Sequence, residues 1–258
     1  MTYVMSDIHG CYDEYQKMLK LINFSDDDSL FVLGDVVDRG EKPIEVLRDM
    51  SMRANVFPII GNHEYMAVGV LLQVLKEAKF ILREIVITED SSEELEELIS
   101  GEIEKEEVQT LLTDMLFWEK EGGSSTLKAF GKLSQEDKEF IIDYIEEFSL
   151  YDVITINNQT YILTHSGLPE GATLENLDEY DAYDFIMTKT DYNKIYFDDA
   201  ILVTGHWPVM TDEGKLSGKV WRGNNHLRID TGCVFGGTLS CVCLDTGEEF
   251  YVESNKIV

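Results

Sequence analysis

Five times along the chain a short apolar run stops at a loop that carries glycine together with Asp, Asn or His. TYVM (2–5) runs into SDIHG, SLFVL (29–33) into GDVVDRG (34–40) and NVFPII (55–60) into GNHE (61–64). TYILT (160–164) runs into HSG (165–167), and AILVT (200–204) into GHWP (205–208). Runs of this length without polar alternation are the mark of strands buried on both faces. Between the first three lie helical patterns at about 11–22 and 43–52, with Pro43 suited to a first helical turn. Strand–helix alternation of this kind dictates an α/β sheet, and in such sheets ligands sit at the C-terminal strand ends.

Within the first of these loops Asp7 and His9 stand two apart, a spacing that turns both side chains to one side of an extended segment. A hydrogen-bonded pair and a shared metal ion both explain that spacing. The other loops weigh on the choice. The chain has 5 histidines, and His9, His63, His165 and His206 all occupy the strand-end loops. Imidazoles gathered where ligands bind argue for a metal site over scattered core residues.

From about 64 to 148 the character changes to long Glu/Leu/Lys stretches, with no proline between Pro58 and Pro169. SEELEELISGEIEKEEVQTLLTDML (92–116) has helical spacing with a solvated acidic face. This marks a helical insertion at about 71–120 within one domain spanning 1–258. With no motif residue inside it, the insertion is expected to shape access to the site and not its chemistry. EGGSS (121–125) reads as a loop, and Ser134 as the N-cap of a further helix. Strands return after Tyr151, with a hairpin turned at Asn157-Asn158 and candidates at 200–204, 227–230, 239–244 and 249–252. The stretch 178–199 reads as a surface loop with a short helix.

A formal net charge of −29 opposes nucleic acid and anionic membranes, both of which are bound through Lys and Arg. No apolar run approaches a membrane span. Four scattered cysteines (Cys11, Cys233, Cys241, Cys243) without a C-x-x-C pair fit packing in a reducing cytoplasm. For phosphate chemistry so acidic a chain needs a local positive spot, which bound divalent cations supply.

DIHG, GDVVDRG, GNHE, HSG and GHWP, in this order and spacing, resemble the PPP-type Ser/Thr protein phosphatases of the calcineurin-like binuclear metallophosphoesterase superfamily. WEKEGGSST (118–126) and IDTGCVFGGTLSCVCLDTGE (229–248) are similar to its bacterial and phage branch. The resemblance implies an α/β fold of two mixed β-sheets packed as a sandwich, with helices on both outer faces. It implies that Asp7, His9 and Asp35 bind one metal ion, and that Asp35, Asn62, His165 and His206 bind the second. Asp35 then bridges, as only a carboxylate can offer an oxygen to each ion. Imidazole and carboxylate without thiolate suit manganese, iron or zinc better than magnesium or calcium, and the resemblance to bacterial members points to manganese among them. By the same resemblance His63 is the general acid, Asp38 its orienting partner and Arg39 the phosphate clamp, while a metal-bridging hydroxide attacks phosphorus. FIMTKTDY (185–192) is similar to a bacterial segment with arginine in the fourth place, which makes Lys189 a substrate-binding candidate. His226 matches no ligand position and reads as structural or rim.

The expected activity is hydrolysis of phosphomonoesters, foremost phosphoserine and phosphothreonine in proteins. GNHE and the presence of Asp38 favour it over the alternative, hydrolysis of diadenosine tetraphosphate or another nucleotide phosphoanhydride. A non-catalytic scaffold acting through the acidic insertion is the third reading, opposed by the complete ligand set.

Overall fold

The computed structural model describes residues 1–87 and 105–256, with side chains throughout except within 77–109. Part of the acidic insertion therefore lies outside the described residues. Strands β1 (Thr2–Met5), β2 (Ser29–Leu33) and β3 (Val56–Ile59) run parallel. They join β9 (Thr238–Cys243) and β10 (Glu249–Glu253) in a five-stranded sheet of order β10-β9-β1-β2-β3. A second sheet has the order β4-β5-β6-β8-β7, from β4 (Tyr151–Ile156), β5 (Gln159–Thr164), β6 (Ala200–Thr204), β7 (Trp221–Gly223) and β8 (His226–Arg228). Here β5, β6 and β8 are parallel, and β4 and β7 pair antiparallel at the edges. Both sheets are mixed, as expected.

The period of two along each strand divides the core. Val4, Phe31, Leu33, Ile59, Leu163, Val203 and Val242 point into one cluster between the sheets. Their neighbours Met5, Leu30 and Val32 point outward, into a cluster with helices α1 (Tyr12–Leu21), α2 (Pro43–Ser51) and α3 (Asn62–Ile87). Helices α4 (Lys105–Lys120), α5 (Ser124–Phe130) and α6 (Gln135–Glu146) belong to this same layer through Trp118, Phe130 and Ile141. The far face of the second sheet is covered by α7 (Ala182–Met187), whose Phe185 packs on Ile162 and Leu202.

The strands other than β7, and helices α1 and α2, fall where the sequence puts them, because apolar period and punctuating glycines agree there, whereas α3 begins at Asn62, inside the GNHE stretch read as a loop. Ser134 caps α6 by accepting the Asp137 N–H at 3.1 Å, and Asn157 and Asn158 both turn at positive φ, 51° and 66°. The stretch 121–125 is a loop only in part, since Ser124 already begins α5. Strand β7, three residues long, carries too few positions to show a period and is missed by the pattern.

Candidate active site

The loops after β1 and β2 lie side by side. The Asp7, His9 and Gly10 N–H groups donate to the carbonyls of Gly34, Asp35 and Val36 at 2.8–3.0 Å. Glycine permits the closeness: a Cβ on Gly61 would stand 2.3 Å from Asp35 Oδ1, and one on Gly205 2.2 Å from Asp7 Oδ2. Eleven described residues other than glycine have positive φ; five are asparagine, and the other six are Asp7, His9, Asp35, Asp38, Arg39 and His206. Left-handed backbone is uncommon away from Gly and Asn, and strain of this kind concentrates at functional sites.

Two groups of side chains converge with Asp35 in common, His9–Asp35–His63 and Asp35–His165–His206. His165 Nδ1 donates to the Leu33 carbonyl at 2.7 Å, so its Nε2 carries a lone pair. That lone pair faces Asn62 Oδ1 at 3.0 Å, His206 Nδ1 at 3.1 Å and Asp35 Oδ1 at 3.3 Å. His9 likewise donates Nδ1–H to the Val37 carbonyl at 2.8 Å and turns its Nε2 lone pair toward Asp35 Oδ2, 3.5 Å away. Burial holds both imidazoles neutral by pushing their pKa values well below the ordinary range. Around His165 Nε2, the acceptors Asn62 Oδ1 and Asp35 Oδ1 therefore face another acceptor, and a cation among them would satisfy all three at once. Burial and neighbouring carboxylates also push Asp35 and Asp7 upward, the reverse of what a cation would do. This donor set of imidazole nitrogen, carboxylate and amide oxygen fits divalent metal. Asp7 stands outside the two tight groups, its carboxylate accepting the His206 N–H at 3.0 Å.

His63 is fully buried and presents Nδ1 2.7 Å from Asp38 Oδ2, while its buried Nε2 has no partner. Burial, with Arg39 and His206 nearby, pushes the imidazole down to about 2. At rest it is neutral, donating Nδ1–H to Asp38 with the Nε2 lone pair aimed at the site. A phosphate anion alongside would oppose those effects.

Asp38 is held from a distant part of the chain. Trp118 Nε1 donates to the same Oδ2 at 2.6 Å, and the Thr126 hydroxyl donates to Oδ1 at 2.5 Å. From sequence the insertion is expected to shape access alone, yet its Trp118, on α4, donates to Asp38 within the candidate site. Glu64 went unassigned from sequence. Its buried carboxylate accepts four backbone N–H groups, from Asp35, Val36, Val37 and Gly61, at 2.7–3.0 Å, and so fixes the loop that presents Asp35.

Arg39 lies across the cleft floor, Nη1 2.7 Å from His9 Nε2 and Nε 3.2 Å from the Glu121 carbonyl. Lys189 is exposed and does not line the cleft, so the segment similarity does not bring it to the site. His226 is buried, with Nε2 2.8 Å from Thr204 Oγ1, and packs beside Tyr192 and Trp221; it is structural.

A sandwich of mixed sheets whose strand ends gather histidines around a shared carboxylate defines a metal-dependent hydrolase. The calcineurin-like phosphoesterase profile matches residues 2–230, and the chain belongs to that family of binuclear metal-dependent phosphoesterases. Among curated relatives, a symmetrical bis(5'-nucleosyl)-tetraphosphatase of Wigglesworthia glossinidia brevipalpis is 44% identical over 64 residues, 24% of each chain. The chain thus spans about a quarter of the length of that relative (24%). The enzyme of the same name from Proteus mirabilis (strain HI4320) is 27% identical over 93% of both chains. Among solved structures, a candidate diadenosine tetraphosphatase superposes with a TM-score of 0.59 at 17% identity, over 98% of this chain and 93% of that one. A Saccharomyces cerevisiae serine/threonine phosphatase similar to human PP5 superposes with 0.53 at 14% identity, over 100% and 80%. These likenesses share the fold. Among the described residues no helix is long and apolar enough to cross a membrane.

Proposed function

We propose that the chain hydrolyses a phosphoanhydride of a dinucleoside polyphosphate, with diadenosine tetraphosphate as the type substrate. The observation that carries this reading is the full-length similarity to the Proteus mirabilis tetraphosphatase. It reverses the order expected from sequence, where GNHE and Asp38 favoured phosphoproteins. Asp7, His9 and Asp35 would hold one divalent ion, and Asp35, Asn62, His165 and His206 the other, with manganese the first choice. Bound there, the ions supply Lewis acidity toward phosphoryl oxygen and a nucleophilic water. Arg39 binds the phosphate that undergoes attack as a forked donor, and so must leave His9 Nε2. With the substrate phosphate alongside, His63, oriented by Asp38, takes up a proton from solvent at Nε2 and passes it to the leaving oxygen, returning to the neutral form. Four buried free cysteines support a reducing compartment such as the cytoplasm.

One observation favours a second reading, phosphoserine and phosphothreonine hydrolysis. An alkoxide leaving group needs a proton far more than a phosphate does, and the Asp38–His63 pair at 2.7 Å is built to give one. Manganese-loaded protein assayed on diadenosine tetraphosphate and on a phosphothreonine peptide separates the two. The first reading expects the larger kcat/KM on the dinucleotide; a larger value on the peptide overturns it in favour of the second.

A further inference from the structure

The cleft above the metal-ligand groups has a volume of about 530 Å³, in the range of small-molecule sites. Five of the residues that line it are exposed aromatics: Tyr65, Phe117, Tyr183, Trp207 and Phe235. Single exposed rings need no explanation, but five around one concavity form a patch with a purpose. Two of them adjoin site residues. The Trp207 ring meets His206 perpendicularly at 5.0 Å, and the residue is 44% exposed. Phe235 carries the Arg39 guanidinium 5.2 Å from its centroid and is 47% exposed. Contacts run from Phe235 through Arg39 to His9 and Asp35, and on through His165 and His206 to Trp207. Both rings thus line the one cleft, and each touches a residue of the phosphate-binding centre.

Both are rigidly mounted. Trp207 lies between His206 and Pro208, and Phe235 closes a short 3₁₀ turn between Gly232 and Gly236, both in left-handed backbone, with Cys233 and Val234 buried beneath. The charge balance says why such rings are needed. A polyphosphate approaches a chain of net charge −29, and Arg39 is the one Lys or Arg among the described residues lining the cleft. Divalent ions and Arg39 would meet the phosphate that is attacked, and no second Lys or Arg of the described lining is there for the rest of the chain of phosphates, which leaves affinity to be gained on the uncharged planar parts of the substrate.

We propose that Trp207 and Phe235 are base-stacking faces that hold the nucleobases of a dinucleotide beside the phosphates. The inference rests on the dinucleotide reading above, and names the residues that would select that substrate. Stacking on one aromatic side chain is worth ~1–3 kcal/mol per base, or about 5- to 140-fold. Trp207→Ala and Phe235→Ala should each lose that factor in kcat/KM on diadenosine tetraphosphate beyond any loss on p-nitrophenyl phosphate, and Trp207→Phe should recover most of it. Equal losses on the two substrates overturn the proposal, as does an equal loss on a phosphothreonine peptide. A second measurement needs no turnover of the anhydride: inhibition of p-nitrophenyl phosphate hydrolysis by adenosine monophosphate and by ribose 5-phosphate. The base should tighten inhibition in the parent, and each alanine variant should lose part of that advantage. If the parent leaves diadenosine tetraphosphate intact yet shows this advantage, the substrate reading fails and the stacking faces stand. If the two compounds inhibit the parent equally, the stacking faces fail.

Discussion

Trp118→Phe isolates one hydrogen bond in the acid pair. The ring at this position is 1% exposed and packed against Gly123, where a Cβ would stand 2.5 Å away, so phenylalanine keeps most of the packing. What disappears is the Nε1–H donor to Asp38 Oδ2, which leaves His63 Nδ1–H as the remaining donor to that oxygen. Burial pushes Asp38 up to about 6, while Thr126 and Trp118 pull against it. Losing a donor to the charged form raises the value further, so the carboxylate is neutralised across a wider acid range and grips His63 less firmly. A hydrogen bond to a charged group is worth roughly 1.5–3 kcal/mol, and its full loss would be about 10- to 150-fold in rate. Since Thr126 still orients Asp38, we expect a kcat loss at the lower end, about 10-fold, at pH 7 on phenyl phosphate. The loss should shrink on p-nitrophenyl phosphate, whose leaving group scarcely needs a proton. The acid limb of the pH–rate profile should move to higher pH. Metal content, measured alongside, should hold at the parent value. Equal impairment on both leaving groups with an unmoved acid limb would refute the role given to Trp118.

The remaining predictions follow from the ligands, their supports and the buried histidine. Asp35→Asn should lose both metal ions and activity on every substrate, and chelation of the parent should do the same with recovery on adding Mn²⁺; metal analysis beside the rate decides. Glu64→Gln turns an NH₂ toward the Asp35 and Gly61 N–H groups that Oε2 now accepts, leaving two buried donors unpaired. It should destabilise by roughly 2–5 kcal/mol in urea unfolding and weaken metal binding. Burial, with Arg228 alongside, pushes His226 down to about 3. The unfolded chain, near the ordinary 6.5, binds a proton that the folded chain refuses, so stability falls as pH drops from 6.5 toward 3. The slope is at most about 1.4 kcal/mol per pH unit, and His226→Gln should flatten the parent's stability–pH curve by that much between pH 6.5 and 5.

Local pattern carried the fold and most of the site, for a physical reason. A buried parallel strand must be apolar throughout, and its end must turn without a Cβ in the way, so TYVM-SDIHG and SLFVL-GDVVDRG announce both strand and loop. What local pattern cannot hold is a contact made across the chain. Trp118 and Thr126, the two ends of WEKEGGSST, reach Asp38 from 80 and 88 residues away; the similarity marked the segment but not the donors it supplies. Glu64 gave a signal, as the last letter of GNHE. Its role appears only once the β2 loop is seen to deliver three N–H groups to it. Lys189 fails in the opposite direction: a short similarity suggested phosphate binding, but the chain leaves α7 two residues earlier and the side chain comes to rest on the surface.

Two kinds of unfavourable free energy meet at Asp7, Asp35 and Asp38. Asp7, Asp35, Asp38, Glu64 and Asp230 are all nearly or fully buried, and burial raises each above the ordinary carboxylate range. Asp7, Asp35, Asp38, His9, Arg39 and His206 also hold left-handed backbone, at roughly 1–3 kcal/mol each. A sequence selected for stability alone would keep neither the crowded acids nor the strained turns. The sandwich core between the sheets and the helix layer outside it offset both, and they hold the loops where the acceptor atoms of His9, Asp35, Asn62, His165 and His206 converge. Divalent ions bound there would relieve the electrostatic part, since cations lower the carboxylates and accept the imidazole lone pairs together. The strain remains, because it aims the ligands. The coincidence of crowded charge and strained backbone at Asp7, Asp35 and Asp38 is the physical signature of this site, and it is independent of any motif.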